Sequence, residues 1–356
     1  MDASDFRAHF PVLERIAYMN AGTDGPVATV AVEAAAEELR AEARDGRVTA
    51  HFERRIELQD ELRAAYGRIV GAPPEQIALT TSATDGIGRV VAGLNLGPDD
   101  EVVTSDQEHP GLLGPLLQAR RNGARVREVP WAEVPAAVGD ETTLVALSHV
   151  SWVGGDVIPP GLSELSVPLL LDGAQGAGAI PVDVRALGCA AYAAAGQKWL
   201  CGPDGSGFLW LDPTFAERLD VVTPSYLTFQ DAAAGLEGEF KDTAQRFDTP
   251  TLAREALAMS AATLRLFEAA GLETIHDRAA TLTRRLADEL RARDREVAPR
   301  GHTTLVAWTE EDDEATRDRL AGEGVIIRNL PGRNLLRASI GAWNDESDLE
   351  RLLDRI

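Results

Sequence analysis

Between residues 72 and 212 the chain alternates short apolar runs with amphipathic stretches. The runs Ile77–Thr81, Glu101–Thr104, Arg125–Val129, Thr143–Ser148, Pro168–Asp172, Ala190–Ala194 and Gly207–Leu211 read as strands, and stretches such as Asp85–Leu94 and Leu112–Asn122 as helices. Strands alternating with helices indicate an α/β fold with a largely parallel sheet covered on both faces. Upstream, residues 27–71 carry a helical pattern broken near Asp45-Gly46. After Asp248-Thr-Pro250 the character changes. Two long helical stretches, about 252–270 and 274–295, precede short strands near 303–308, 324–328 and 334–340, and a closing helix starts near 345. The pattern predicts a large α/β domain over 16–250. A smaller α+β domain follows over 251–356, together with residues 1–15.

Composition narrows the classes. The 356 residues suffice for two domains, and 44% apolar with 26% charged content is ordinary for a globular protein. A formal charge of −22 repels nucleic acid and anionic membranes, so neither is an expected partner. The two cysteines, Cys189 and Cys201, fit no disulfide framework, and no His stands at ligand spacing from another His or Cys. No metal site is expected. The chain starts without a basic segment followed by an apolar one, and no apolar run approaches the ~20 residues of a membrane span. A cytoplasmic protein is the expectation.

The candidate chemistry lies at strand ends. Only two residues are lysine, and Lys198 sits in the apolar run Ala190-Ala-Tyr-Ala-Ala-Ala-Gly-Gln-Lys198-Trp-Leu-Cys-Gly-Pro. A desolvated ammonium loses its proton more easily, and the neutral amine can attack a carbonyl to form a Schiff base; a snorkelling structural lysine is the competing reading. Thr80-Thr-Ser-Ala83-Thr84-Asp leaves a strand and enters a helix, where backbone N–H groups suit a phosphate or simple capping. Leu169-Leu-Leu-Asp172-Gly-Ala-Gln175 ends an apolar strand in a carboxylate, which can face a cationic ring nitrogen or begin a turn. His109, in Asp106-Gln-Glu-His109-Pro, offers a flat aromatic group.

The ordered set Thr84, His109, Asp172, Gln175, Lys198 resembles the class V aminotransferase family of pyridoxal-phosphate (PLP) enzymes. The resemblance spans nearly the whole chain, from Tyr18-Met-Asn20-Ala-Gly22 to Leu336-Arg337-Ala-Ser-Ile-Gly-Ala-Trp-Asn344. It implies the fold type I PLP-dependent transferase fold, with a mostly parallel seven-stranded sheet and a smaller α+β domain. It also implies PLP as cofactor and an amino acid substrate. Lys198 then resembles the Schiff-base lysine, Asp172 the partner of the pyridine nitrogen, Gln175 the donor to the ring hydroxyl and His109 the stacking residue. Ala83, Thr84 and Gln197 fall at cofactor-binding positions. Arg337 resembles the arginine that grips the α-carboxylate, which its fork matches bidentately, and Asn20, Gly22 and Trp152 fall at substrate-binding positions. Arg246-Phe-Asp-Thr249-Pro is similar to a segment that reaches a partner subunit's phosphate, implying a homodimer with a shared site. Two positions depart from the family: Ala195 stands for a Ser or Thr, and Gln197 for a His.

For the reaction, the resemblance implies an enzyme of aminotransferase type. A C–S lyase or epimerase is the alternative, since Ser148-His-Val-Ser-Trp152-Val-Gly-Gly is similar to the isopenicillin N epimerase and C–S lyase branch. A degenerate, non-catalytic partner protein is a third reading. The stretch Gly324-Val-Ile-Ile-Arg328-Asn-Leu-Pro-Gly-Arg333-Asn-Leu-Leu contains no cysteine where cysteine desulfurases carry a nucleophilic one. The expectation is therefore an enzyme outside the cysteine desulfurases.

Overall fold

The computed structural model describes all 356 residues. Seven strands form the central sheet: β1 (Ile77–Thr80), β2 (Glu101–Ser105), β3 (Arg125–Val129), β4 (Thr142–Ser148), β5 (Leu169–Asp172), β6 (Ala191–Ala195) and β7 (Gly207–Leu211). Their order is β1-β7-β6-β5-β4-β2-β3. Each lies within a residue of its expected position. Only β7 runs antiparallel to its neighbours, β1 and β6. The reason is local. Parallel neighbours need a long crossover connection, whereas β6 and β7 are joined directly by the turn that carries Lys198.

Helices cover both faces, which is why β1, β5, β6 and β7 are buried along their whole length. The long helices are α1 (Thr29–Asp45), α2 (Thr49–Val70), α3 (Ala83–Gly93), α4 (Pro110–Arg121), α5 (Arg254–Ala270), α6 (Leu272–Ala292) and α7 (Glu346–Leu353). On one face Leu58, Leu62 and Tyr66 of α2 and Leu257 of α5 meet Tyr192, Phe208 and Trp210. On the other, Ile87 and Val90 of α3 and Leu112 and Leu116 of α4 meet Leu170, Ala193 and Leu209. The edge strand β3 is largely exposed and carries Arg125, Arg127 and Glu128, charges that discourage pairing with another chain.

A second sheet, ordered β9-β10-β8, is antiparallel: β8 (Leu305–Thr309), β9 (Arg328–Leu330) and β10 (Leu335–Ser339). Leu286 and Leu290 of α6 and Leu349 and Leu352 of α7 pack with its Trp308 and Leu336. The N-terminal segment threads into this region. Ala17–Tyr18 pairs with Val325–Ile326, and Asn20 bridges to Ser339. Phe6 and Phe10 then join Phe267, Trp343 and Trp199 in one apolar cluster. The helix Asp313–Gly322 escaped the hydrophobic pattern because only Leu320 in it is buried.

One buried ion pair ties three separate elements. Arg63 of α2 donates from both terminal nitrogens to Asp248 at 2.8 and 3.0 Å and also to the Ile77 carbonyl at 3.1 Å. Asp248 also accepts from the Leu79 amide at 2.8 Å. Removing one member of such a pair leaves the other charge uncompensated, at a cost of about 3–5 kcal/mol. Asp248→Ala should lower the free energy of unfolding by that amount, read as a shifted denaturation midpoint; a loss below 1 kcal/mol would show the pair to be dispensable.

Candidate active site

β1 and β6 both oppose β7, so β1 runs in the same direction as the parallel strands. The carboxyl ends of β1, β2, β4, β5 and β6 therefore open onto one edge of the sheet, where open α/β folds bind ligands. A cavity with roughly 570 Å³ of free space lies there, lined by Ser82, Ala83, Thr84, His109, Ser148, Val150, Trp152, Asp172, Ala174, Gln175, Ala195, Gln197 and Lys198.

The β6–β7 turn aims Lys198 into the cavity. Its backbone is pinned by the Gly202 amide donating to Gly196 O at 2.9 Å, Cys201 N to Lys198 O at 3.1 Å and Gly25 N to Gln197 O at 2.7 Å. Gly25 has to be glycine, because a Cβ there would collide with the Lys198 carbonyl. Burial lowers the Lys198 pKa from 10.5 to about 8; the Asp172 carboxylate opposes the shift, while Arg337 and Arg328 add to it. A share of the lysine is thus a neutral amine near neutral pH. Asp172 is buried, accepts from the Ala174 amide at 2.9 Å, and has its pKa raised by burial against the counteracting charge of Lys198.

His109 caps the N-terminus of α4, its Nδ1 accepting from Gly111 N at 3.0 Å. Burial, with Lys198, Arg328 and Arg337 nearby, depresses its pKa to about 4, so the ring is neutral. It meets Trp152 edge to face at 5.3 Å between centroids. On the opposite wall α3 begins. Ser82 accepts the Asp85 amide at 3.0 Å, which leaves the amides of Ala83 and Thr84 without a partner in the chain. Ala195 packs against Ala83 and Ala174, so the hydroxyls on this wall are those of Ser82 and Thr84.

Behind Trp152 lies Arg337, 1% exposed. One of its terminal nitrogens donates to Trp152 O at 2.5 Å, while Nε and Nη2 are buried without a partner. Burial, then Arg328, pulls its pKa down to about 9. A Cβ at Gly22 would come within 2.7 Å of both Arg337 Nη2 and Ser339 Oγ, so glycine leaves room for the guanidinium. Gln175 donates to Gly22 O at 2.8 Å and accepts from Trp199 Nε1 at 2.9 Å, holding this segment to the site. Asn20 accepts from the Thr23 hydroxyl at 2.9 Å.

The structure thus gathers Ala83, Thr84, His109, Trp152, Asp172, Gln175, Gln197 and Lys198 around one cavity and sets Arg337, Gly22 and Asn20 beside it. Thr249 is not among the lining residues. Its hydroxyl donates to Asp85 at 2.5 Å and accepts from Arg89 at 2.9 Å, both on α3 of the same chain. Among the residues that escaped the sequence reading are Ser82, Ser148 and the buried acid Glu108. Each is a polar residue at or just beyond a strand end, which was the available signal.

These residues fit PLP. Unpaired amides at a helix N-terminus suit its phosphate, a neutral flat ring suits stacking, a buried acid suits its ring nitrogen, and Lys198 offers the amine. When bound, PLP supplies a carbonyl for amine exchange and a ring that withdraws electrons from the substrate's Cα.

Comparison with known proteins bears out the resemblance. The chain belongs to the aminotransferase class-V family, whose model matches residues 18–352. It is similar to the uncharacterized aminotransferase YcbU of Bacillus subtilis (strain 168), 25% identical over 85% of this chain and 84% of that protein. A cysteine desulfurase of Cronobacter sakazakii is 26% identical over 98% of this chain and 95% of that one. Among solved structures, the cystine C–S lyase C-DES in complex with its reaction product, cysteine persulfide, superposes with a TM-score of 0.90. It is 26% identical and covers 97% of this chain and 98% of that one. C-DES with glycine covalently linked to its PLP cofactor matches equally well.

These relatives correct one expectation. The missing loop cysteine had set the chain outside the cysteine desulfurases, yet desulfurases and C-DES match it over nearly its whole length. The chain is desulfurase-like. A single loop position was too narrow a criterion, because the cavity, lysine, acid and arginine are framed by the whole fold.

Only the neutral amine attacks a carbonyl, so borohydride-fixed PLP on the PLP-free chain should accumulate faster as pH rises through about 8 and level off above it. Lys198→Ala should fix none, and Lys241→Arg should behave as wild type by mass spectrometry. The sign for stability agrees: between about 8 and 10.5 the unfolded lysine holds a proton that the folded one lacks, so stability rises with pH in that window. Fixation independent of Lys198 would refute the assignment.

Proposed function

We propose that this chain is a PLP-dependent C–S lyase acting on L-cystine or a closely related sulfur amino acid. The observation that carries the reading is the unsatisfied guanidinium of Arg337, facing the Gly22 gap and the partnerless Ser339 hydroxyl. A buried cation with free N–H groups invites a carboxylate, and an α-amino acid held there by its carboxylate can present its Cα to Lys198. Lys198, neutral in part, takes the Cα proton. The Cα electron pair forms the Cα–Cβ double bond, and the Cβ–S bond breaks with its pair leaving on sulfur. The three-carbon remainder hydrolyses to pyruvate and ammonia.

Two further features favour a disulfide amino acid. Arg328 is the cross-strand partner of Arg337 and forms no ion pair within the chain; its nearest hydrogen bond is a long one, 3.3 Å, to the Thr23 hydroxyl. It is available to the second carboxylate of cystine. The similarity to C-DES, over almost the full length of both chains, points to the same chemistry. We also infer a homodimer: Val32, Phe52 and Tyr226 are exposed large apolar side chains, and Arg55 joins the last two by stacking on Phe52 and bonding Tyr226.

Incubation of the PLP-loaded protein with L-cystine should release pyruvate, ammonia and persulfide sulfur in equal amounts. Formation of the keto acid of the intact amino acid, with the cofactor left in its amine form, would establish transamination instead. Arg337→Ala should raise KM about 10- to 100-fold, the worth of a charged hydrogen bond, with a smaller change in kcat.

A further inference from the structure

Glu108 is almost fully buried and the chemistry above does not use it. It precedes His109 directly, yet it is not itself among the lining residues and its carboxyl joins two strand ends. One oxygen accepts from the Ser105 hydroxyl at 2.5 Å, at the end of β2. The other accepts from both the amide and the hydroxyl of Ser148, at 2.9 and 2.6 Å, at the end of β4. Ser148 itself lines the cavity and stands opposite Asp172 in the sheet register. A single side chain therefore joins the segment carrying the flat ring of His109 to the strand beside Asp172. The neighbouring Gln107 repeats the link further out, accepting from the Ser151 hydroxyl at 2.7 Å.

We propose that Glu108 is a positioning residue, which fixes the His109 ring over the cavity by clamping the 105–109 turn to Ser148 and so sets how tightly PLP is held. No cation pairs with the carboxyl. Burial pushes its pKa up to about 7, with the serine hydrogen bonds pulling down and Asp172 adding to the rise. A group so placed serves by geometry, and an uncharged side chain of the same shape can replace it. The clamp acts on the cofactor site, whichever bond the enzyme breaks.

The test is the PLP dissociation constant, titrated by absorbance on cofactor-free protein, together with the absorption maximum of the bound cofactor. Glu108→Ala should weaken PLP binding about tenfold and shift the maximum, and Glu108→Gln should stay within about threefold of wild type. In a double-mutant cycle, Glu108→Ala should cost nothing further once His109→Ala is present. Ser105→Ala, which removes one partner of Glu108 outside the cavity lining, should weaken binding in the same direction and serves if Glu108→Ala does not fold. A clamp with a purely structural role predicts otherwise: lower thermal stability of the cofactor-free protein, an unmoved absorption maximum and losses from Glu108→Ala and His109→Ala that multiply. That result would overturn the proposal.

Discussion

The desolvation of two cations, opposed at Lys198 by the buried carboxylate of Asp172, is the constraint on which the site depends. Lys198 and Arg337 both have depressed pKa values because burial disfavours their charged forms, and each adds to the positive field that Arg328 extends. Asp172 is the one buried carboxylate acting on Lys198. In water this imbalance would be trivial. In a low-dielectric site it leaves a lysine that is partly neutral and an arginine with unmet hydrogen-bonding capacity, groups that under the proposed function suit a carbonyl and a carboxylate.

The fold supplies that arrangement through its strand ends. All strands but β7 bring their carboxyl termini to one edge, and the β6–β7 reversal drops Lys198 there instead of leading into a crossover helix. The N-terminal segment completes the enclosure. Gly25 lies against the lysine carbonyl, Gly22 against the guanidinium, and pairing of Ala17–Tyr18 with Val325–Ile326 secures the approach. Residues distant in sequence thus exclude water from the amine, which is the source of its lowered pKa.

Most of this was legible in the sequence where the physics is local. Apolar runs bounded by turn residues marked all seven strands, and the polar residues just beyond them marked Thr84, His109, Asp172, Gln175 and Lys198. What stayed hidden depends on long-range packing. The Arg63–Asp248 pair ties the Arg246–Pro250 segment to α2 and β1, and Thr249 bonds Asp85, links that no local pattern announces. Glu108 carries no local sign of burial in the sequence; it is enclosed only where the ends of β2 and β4 meet it. The desulfurase expectation failed for a related reason: it judged a family by one side chain, whereas the likeness to C-DES is a property of the whole backbone and cavity.

Scarcity of lysine makes the central claim directly measurable. Protein labelled at lysine with 13C gives two side-chain signals, from Lys198 and Lys241, and Lys241→Arg assigns them. Titration of the cofactor-free chain by NMR should place Lys198 near 8. Asp172→Asn should lower it further, because the carboxylate is the charge that opposes burial. A Lys198 titrating near 10.5, or one unaffected by Asp172→Asn, would contradict the account.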